Sequence, residues 1–528
     1  MTSRLLRLVG ALTLLALVLP GAPASAAGAI SSSPTPQIAC GPGSLPETDI
    51  QGRVPKADFA SGRAAKGYRC NTVQVGHFGA TGGFRVERYV DKAGHECAFF
   101  DSTLLFPKDV FTNGAEGLGV YVMDMSNPAK PKHTASLVTP AMLSPHESLR
   151  LSRPRGILAA GMGYPTTNPG IVDVYDVSKD CRQPTLLSST PLGIFGHEST
   201  FSPDGKTFYV AGTLSPTVSA VDLTDPTKPS VAWLSVGKYN FHGMNVSTDG
   251  NRLYAADAGI GRRGLTVLDV SQVQKRVVNP QVPEVSHITW PEVSIPQNSD
   301  PITIHGKPYL LEIDEYTSNT LNGQPGYLPE ATVGAARMID IANDKAPKVV
   351  SNIRLAVHQT SARKGDEQND PGAQSAAQGY AGHYCSVPTR IDPEYAACSM
   401  IMSGLRIFDI RDPLKPKEIG YFNGPVPSGG AFAMSAPAFV PERKEIWYTD
   451  GNSGFYVVRL TASAFTAPTT VGPTTVGPAK PPAAPGPVAP PPTSGGSSLP
   501  TTGLPPLLPW AAAAAAAVGI VLLRGRRA

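Results

Sequence analysis

The sequence predicts an all-β protein, a seven-bladed β-propeller of four-stranded antiparallel blades closed by an N-terminal strand. Three observations predict it: a unit that recurs along residues 117–460, the spacing of that unit, and turn residues at fixed offsets within it. The unit reads GLGVYVMDMSNPAKPK from Gly117, GIVDVYDVSKDCRQP from Gly170, TVSAVDLTDPTKPS from Thr217 and GLTVLDVSQ from Gly264. It continues as AARMIDIANDKAPK from Ala335, GLRIFDIRDPLKPK from Gly404 and GFYVVRL from Gly454. Its strands end at Asp124, Asp176, Asp222, Asp269, Asp340, Asp409 and Arg459, at spacings of 52, 46, 47, 71, 69 and 50. A recurring 46 to 52 with two insertions is the length of a four-stranded blade.

Each unit parses alike. An alternating strand leads into a tight turn, SPDGK at Ser202 or STDGN at Ser247, and a β-rich strand follows, such as TFYVAG or RLYAAD. The GLxVxD strand comes next, then a D-P-x-K-P turn and an outer strand such as KHTASLV. Turn residues at fixed offsets between period-2 strands are what antiparallel blades require. The stretch from about 117 to 460 resembles the LVIVD-repeat proteins, whose signature is this GLRIFDxxDPxxP unit. The motif is sharp in the units ending at Asp124, Asp222 and Asp409 and degraded in those ending at Asp269 and Arg459. The resemblance implies a β-propeller and carries no settled activity or catalytic residues.

The seventh unit lacks an outer strand after Arg459. The segment Asn71 to Phe78, NTVQVGHF, reads as the displaced outer strand, and pairing it with the last blade would remove both exposed sheet edges. The propeller is therefore placed at 71–460, with residues 27–70, rich in Pro and Ser, as an irregular lead-in.

Both ends read as addresses. Arg4 and Arg7 precede an apolar run from Leu8 to Leu19 and an A-x-A site at Ala24 to Ala26, so residues 1–26 are a signal peptide, the run being too short for a bilayer. Residues 461–498 are Pro- and Thr-rich, an extended stalk unable to build a core. At 499–528, LPTTG is followed by an apolar stretch from Leu504 to Leu523 and by Arg524, Arg526 and Arg527. This layout resembles the LPxTG cell-wall sorting signal of Gram-positive bacteria. The resemblance implies that sortase cleaves between Thr502 and Gly503 and joins Thr502 to peptidoglycan, with the apolar stretch a transmembrane helix only until sorting. A permanent C-terminal membrane anchor is the other reading. A net charge of +4, partly from the two signals, and no basic stripe interleaved with aromatics argue against nucleic acid as a partner. Six cysteines in an exported chain point to disulfides. Cys385 and Cys398 lie nearly symmetrically about the turn at Arg390 to Pro393, as cross-strand neighbours would.

The hairpin turn supplies an internal ruler. Seven residues before Asp204 stands His197, before Asp249 His242, before Arg153 His146, before Arg390 His383, and before His305 Asn298. Glutamate follows twice, at Glu147 and Glu198, whereas His95-Glu96 falls just past a turn and is excluded. Innermost strands surround a propeller axis, so equivalent positions converge. The next strand returns to the same face, and those strands end at Asp101, Asp257, Asp314, Glu315 and Asp450. The long segments 101–117, 314–334 and 358–382 belong to that face as well. Neutral imidazole suits Zn, Cu, Ni or Fe, and carboxylates complete the sphere or act as a general base. The opposing reading is structural. Gly196-His197 and Gly382-His383 match the Gly-His pairs that pin the blades of WD-type propellers. No G-x-S-x-G elbow, Walker loop or dinucleotide fingerprint is present. Two functions follow: a wall-displayed binding or interaction module with an unidentified extracellular ligand, or an extracellular metal-dependent enzyme, an oxidase or hydrolase, built on the axial cluster. Convergence of the imidazoles selects the second, and their burial between blades selects the first.

Overall fold

The computed structural model describes residues 30–102, 118–163, 168–318, 331–364, 370–373, 378–425 and 430–466, with the backbone of 469–470. The segments read as signal peptide and sorting signal, with Thr502 and Gly503, and most of the segment read as a stalk lie outside the described residues. No helix among the described residues is long and apolar enough to cross a membrane.

Seven antiparallel sheets form the blades, each running from inner to outer strand in chain order except the last. Blade 1 is Val86–Val90, Glu96–Asp101, Val120–Asp124 and Lys132–Leu137, and blade 2 is Arg150–Ser152, Ile157–Gly161, Ile171–Asp176 and Thr185–Pro191. Blades 3, 4 and 5 begin at the inner strands Glu198–Phe201, Phe241–Val246 and Ile295–Ile304, blade 6 at Tyr384–Ser386 and blade 7 at Ala438–Val440. In blade 7 the outer strand is Thr72–Phe78, which pairs antiparallel with Gly454–Leu460 and closes the ring. At the junction of blades 7 and 1 the inner edges bond directly: Val86 N–H donates to the Ala436 carbonyl at 3.1 Å and Ala436 N–H to that of Phe84 at 2.8 Å.

The repeated aspartate has a local cause. Each accepts the backbone N–H two residues on: Asp124 from Ser126, Asp176 from Ser178, Asp222 from Thr224, Asp269 from Ser271, Asp340 from Ala342 and Asp409 from Arg411, at 2.8–3.0 Å. This side-chain turn ends the strand and starts the reversal. In the inner hairpins Asp204 and Asp249 take Ser hydroxyls and the N–H of Lys206 and Asn251, while Gly205 and Gly250 hold the positive φ the turn demands.

Residues 30–70, expected as irregular, are partly built into the sheet. Gln37–Ile38 pairs parallel, and Tyr68–Cys70 antiparallel, with the outer strand Lys417–Asn423 of blade 6. Their strands are too short to show alternation in the sequence, and the partner edge supplies the hydrogen bonds that hold them. Three disulfides, Cys40–Cys70, Cys97–Cys181 and Cys385–Cys398, account for all six cysteines. The last joins directly paired residues of neighbouring strands. A chain fully paired in this way is secreted or extracellular, since reducing compartments keep thiols free.

Candidate metal centre

Four histidines stand where four inner strands begin. His197 and His383 immediately precede Glu198–Phe201 and Tyr384–Ser386, His242 sits inside Phe241–Val246, and His146 precedes Arg150–Ser152. His242 lies in a β-bulge between Phe241 and Met244, a device that re-aims side chains. His146 has φ +49°, the left-handed region where a non-glycine residue is strained and which concentrates at functional sites. All four rings are buried, and so is Glu147.

They converge on one carboxylate. His242 Nε2 is 3.1 Å and His197 Nε2 3.4 Å from Glu147 Oε2; His383 Nε2 is 3.1 Å and His146 Nε2 3.9 Å from Oε1. The Nε2 atoms of His197 and His242 are 3.1 Å apart. Donors bound to one ion at about 2.0–2.1 Å stand roughly 2.9–3.4 Å from one another when adjacent. Most of these separations are of that size, and the ligand atoms of His146, Glu147 and His197 all lie within 4.8 Å of one another, as the donors of one ion do.

Two of the outward nitrogens face oxygen atoms. His383 Nδ1 lies 2.6 Å from the Met434 carbonyl, which can only accept, so Nδ1 carries the proton. His242 Nδ1 faces Glu315 Oε1 at 3.4 Å, and the other oxygen of Glu315 is 3.4 Å from His383 Nε2. A ligating histidine characteristically donates its second N–H to a carbonyl or carboxylate, which fixes the ring and aims the other nitrogen inward. Burial works against the protonated form of His242, but Glu147 and Glu315 outweigh it and lift its pKa to about 9. The same opposition, with hydrogen bonds to both glutamates, takes His383 to about 9. Burial and then the His197 charge push His146 well below its usual value. Burial would raise Glu147, yet the surrounding imidazoles hold it well below the usual carboxylate range.

The remaining expected residues have other employments. Glu198 is buried and paired with Arg85 and, at 3.1 Å, with Arg150, while Arg85 also donates to the Glu147 carbonyl at 2.5 Å. Burial raises Glu198 to about 7, against the pull of the two arginines. Asn298 accepts from Asn245 at 2.8 Å and is not joined to the histidines by a hydrogen bond. The strand-end aspartates hold loops. Asp257 takes Gly259 N–H and the Thr266 hydroxyl, Asp314 takes Trp290 Nε1, Ser294 N–H and Arg337, and Asp450 takes the N–H of Phe432 and Asn452. Asp101 is buried at the end of its strand, paired with Val120 across blade 1. Glu315 alone among the strand ends reaches the cluster, because it follows Asp314 and successive strand residues face opposite sides.

The ruler overlooked Gln297. In blade 4 Phe241 pairs with the strand-end Asp257 and His242 comes next; in blade 5 Pro296 pairs with Asp314 and Gln297 comes next. Both inner strands carry one extra residue, but blade 5 pairs on to Ile304 and Lys307 about a two-residue turn, whereas the last pair of blade 4 is Val246 with Leu253, so the same count from the turn lands one residue off. The Pro296-Gln297 pair carries no turn chemistry that would have revealed it.

No protein-family model and no curated protein matches the chain. Solved structures similar to it include a putative 6-phosphogluconolactonase from Bacteroides uniformis, 14% identical, with a TM-score of 0.47 over 67% of this chain and 88% of that one. The periplasmic gluconolactonase of Pseudomonas aeruginosa is 15% identical, with a TM-score of 0.45 over 68% and 93%. Hydrazine synthase of Kuenenia stuttgartiensis is 16% identical, with a TM-score of 0.44 over 73% and 97%. Likeness at this level transfers no activity.

Proposed function

We propose that this is an extracellular metal-dependent enzyme, displayed on the wall of a Gram-positive cell, whose propeller axis holds a divalent transition-metal ion between His146, His197, His242, His383 and Glu147. The observation that carries the reading is the convergence of four Nε2 atoms on one buried carboxylate, with the Nδ1 atoms of His383 and His242 turned to the Met434 carbonyl and Glu315. Charge supports it. With neutral imidazoles, Glu147 and Glu315 put two carboxylates in direct contact with the rings, and Glu198 beside them is held by Arg85 and Arg150. Imidazole-rich donors suit Fe, Ni, Cu or Zn, and such an ion supplies Lewis acidity or electron transfer to a small substrate. Histidines turned into the packing between blades would have favoured the interaction module; their orientation toward one carboxylate favours the enzyme.

Metal analysis of the purified mature chain and of His197→Ala tests the site. The parent should carry about one ion per chain and the variant at least tenfold less, since loss of one ligand from a shared sphere weakens it strongly. A parent devoid of metal after loading with Zn, Cu, Ni or Fe would sink the reading. Display is supported by the LPTTG segment, its apolar stretch and terminal arginines. Thr502→Ala should move the protein from the wall fraction to the membrane or medium, and unchanged wall linkage would refute anchoring.

A further inference from the structure

The seven blades do not contribute equally around the axis. Blades 2, 3, 4 and 6 give imidazoles. On one side Phe84 of blade 1 packs its ring against His146 and His383, at centroid distances of 4.3 and 5.4 Å, and blade 7 offers the Met434 carbonyl to His383. That sector is closed by protein. Blade 5 supplies Gln297, at the same register as His242 and likewise within a bulge. Gln297 is fully buried, and neither its amide oxygen nor its amide nitrogen has a hydrogen-bond partner. A buried amide left so costs about 1–3 kcal/mol, which a fold retains only where something else satisfies it. The inner strands of blades 4 and 5 approach closely there: a Cβ on Gly243 would overlap the main-chain oxygen of Gln297 and the Glu198 carboxylate.

The ligand atoms of His146, Glu147 and His197 lie within 4.8 Å of one another, and His242 and His383 reach the same carboxylate at 3.1 Å, so a six-coordinate ion held here keeps at least one position for an external molecule. Resting on the metal reading above, we infer that Gln297 binds and orients a small anionic ligand at that open position, its amide nitrogen donating to the anion. An amide is a poor competitor for the ion beside imidazole and carboxylate, and a good donor to an anion held next to it. The site's substrate is therefore a small anion, or a small molecule that binds the ion as one.

The test uses the mature chain loaded with Cu(II) and azide as the probe, followed by the azide-to-copper absorption band. Gln297→Leu should keep the copper content of the parent and weaken azide about 3- to 10-fold, the scale of one lost hydrogen bond. Gln297→Glu, nearly the same shape, should weaken it at least tenfold by repulsion. Equal azide affinity in the parent and both variants overturns the role of Gln297 while leaving the metal site standing. Loss of copper in Gln297→Leu with Gln297→Glu still loaded makes the residue a ligand of the ion and overturns the orienting role. A parent that takes up no copper, zinc, nickel or iron overturns the site itself, and the inference with it.

Discussion

Two groups of histidine and carboxylate in this molecule look alike as residue lists and differ in what consumes their lone pairs. At the rim, His95 Nδ1 lies 2.9 Å from Asp91 Oδ2 and 3.6 Å from Asp180 Oδ1. Asp91 also accepts the N–H of Ala93 and His95 in its own turn and that of Cys181 in the next blade, while Asp180 is held by Arg182. Backbone amides hold Asp91 below the usual carboxylate range against the opposing effect of burial. The group is a staple between blades 1 and 2, beside the Cys97–Cys181 disulfide. At the axis no backbone amide bonds the Glu147 carboxylate among the hydrogen bonds of the described residues; imidazoles surround it. A carboxylate spent on the backbone fixes a loop, and one left to imidazoles is available to an ion.

The largest test removes the geometry on which only the axis depends. Deleting Thr72–Phe78 strips blade 7 of its outer strand and exposes a long edge, so the protein should aggregate or lose its cooperative melt, and metal uptake with it. A truncated chain that melts and loads like the parent would show that closure does not set the axis. Next in size is the rim. Replacing both Cys97 and Cys181 with Ala frees a loop spanning 84 residues and should cost about 4 kcal/mol of stability, seen in denaturant melts, with metal content per folded chain unchanged. Metal loss in that variant would join the two regions that the hydrogen bonds separate.

A pH series comes third. In the metal-free protein His242 and His383 hold protons up to about pH 9, against an ordinary value near 6.5. A raised folded pKa contributes stability that is complete below about pH 6.5 and lost as pH climbs through 9. The metal-free chain should therefore melt lower at pH 10 than at pH 6, whereas the loaded chain, whose ligands are already deprotonated, should show less of that fall. Parallel melting curves for the two forms would break the assignment of these rings as ligands. The smallest effect is expected from His95→Ala, about 1 kcal/mol for one partly exposed contact and no change in bound metal.

Much of this was legible in the chain because repetition makes local patterns additive. The strand-ending aspartates mark every blade but the last through a bond to the residue two places on, which needs no tertiary partner. The hairpin offset then carries register inward, which is why counting from turns found all four histidines, and why Cys385 and Cys398 are paired where the turn's symmetry placed them. The number of blades, the strand that closes them and the four histidine positions therefore follow from the chain alone. Which other side chains join those histidines follows from packing. The tighter hairpin of blade 5 puts Gln297, not Asn298, at the register of His242, and alternation along one strand sends Asp314 to Arg337 and Glu315 to the imidazoles. Packing also joined Cys97 to Cys181 and seated Gln37–Ile38 on blade 6. Bulges and long-range contacts depend on the partner strand rather than on the local pattern, and that is why the chain alone leaves them open.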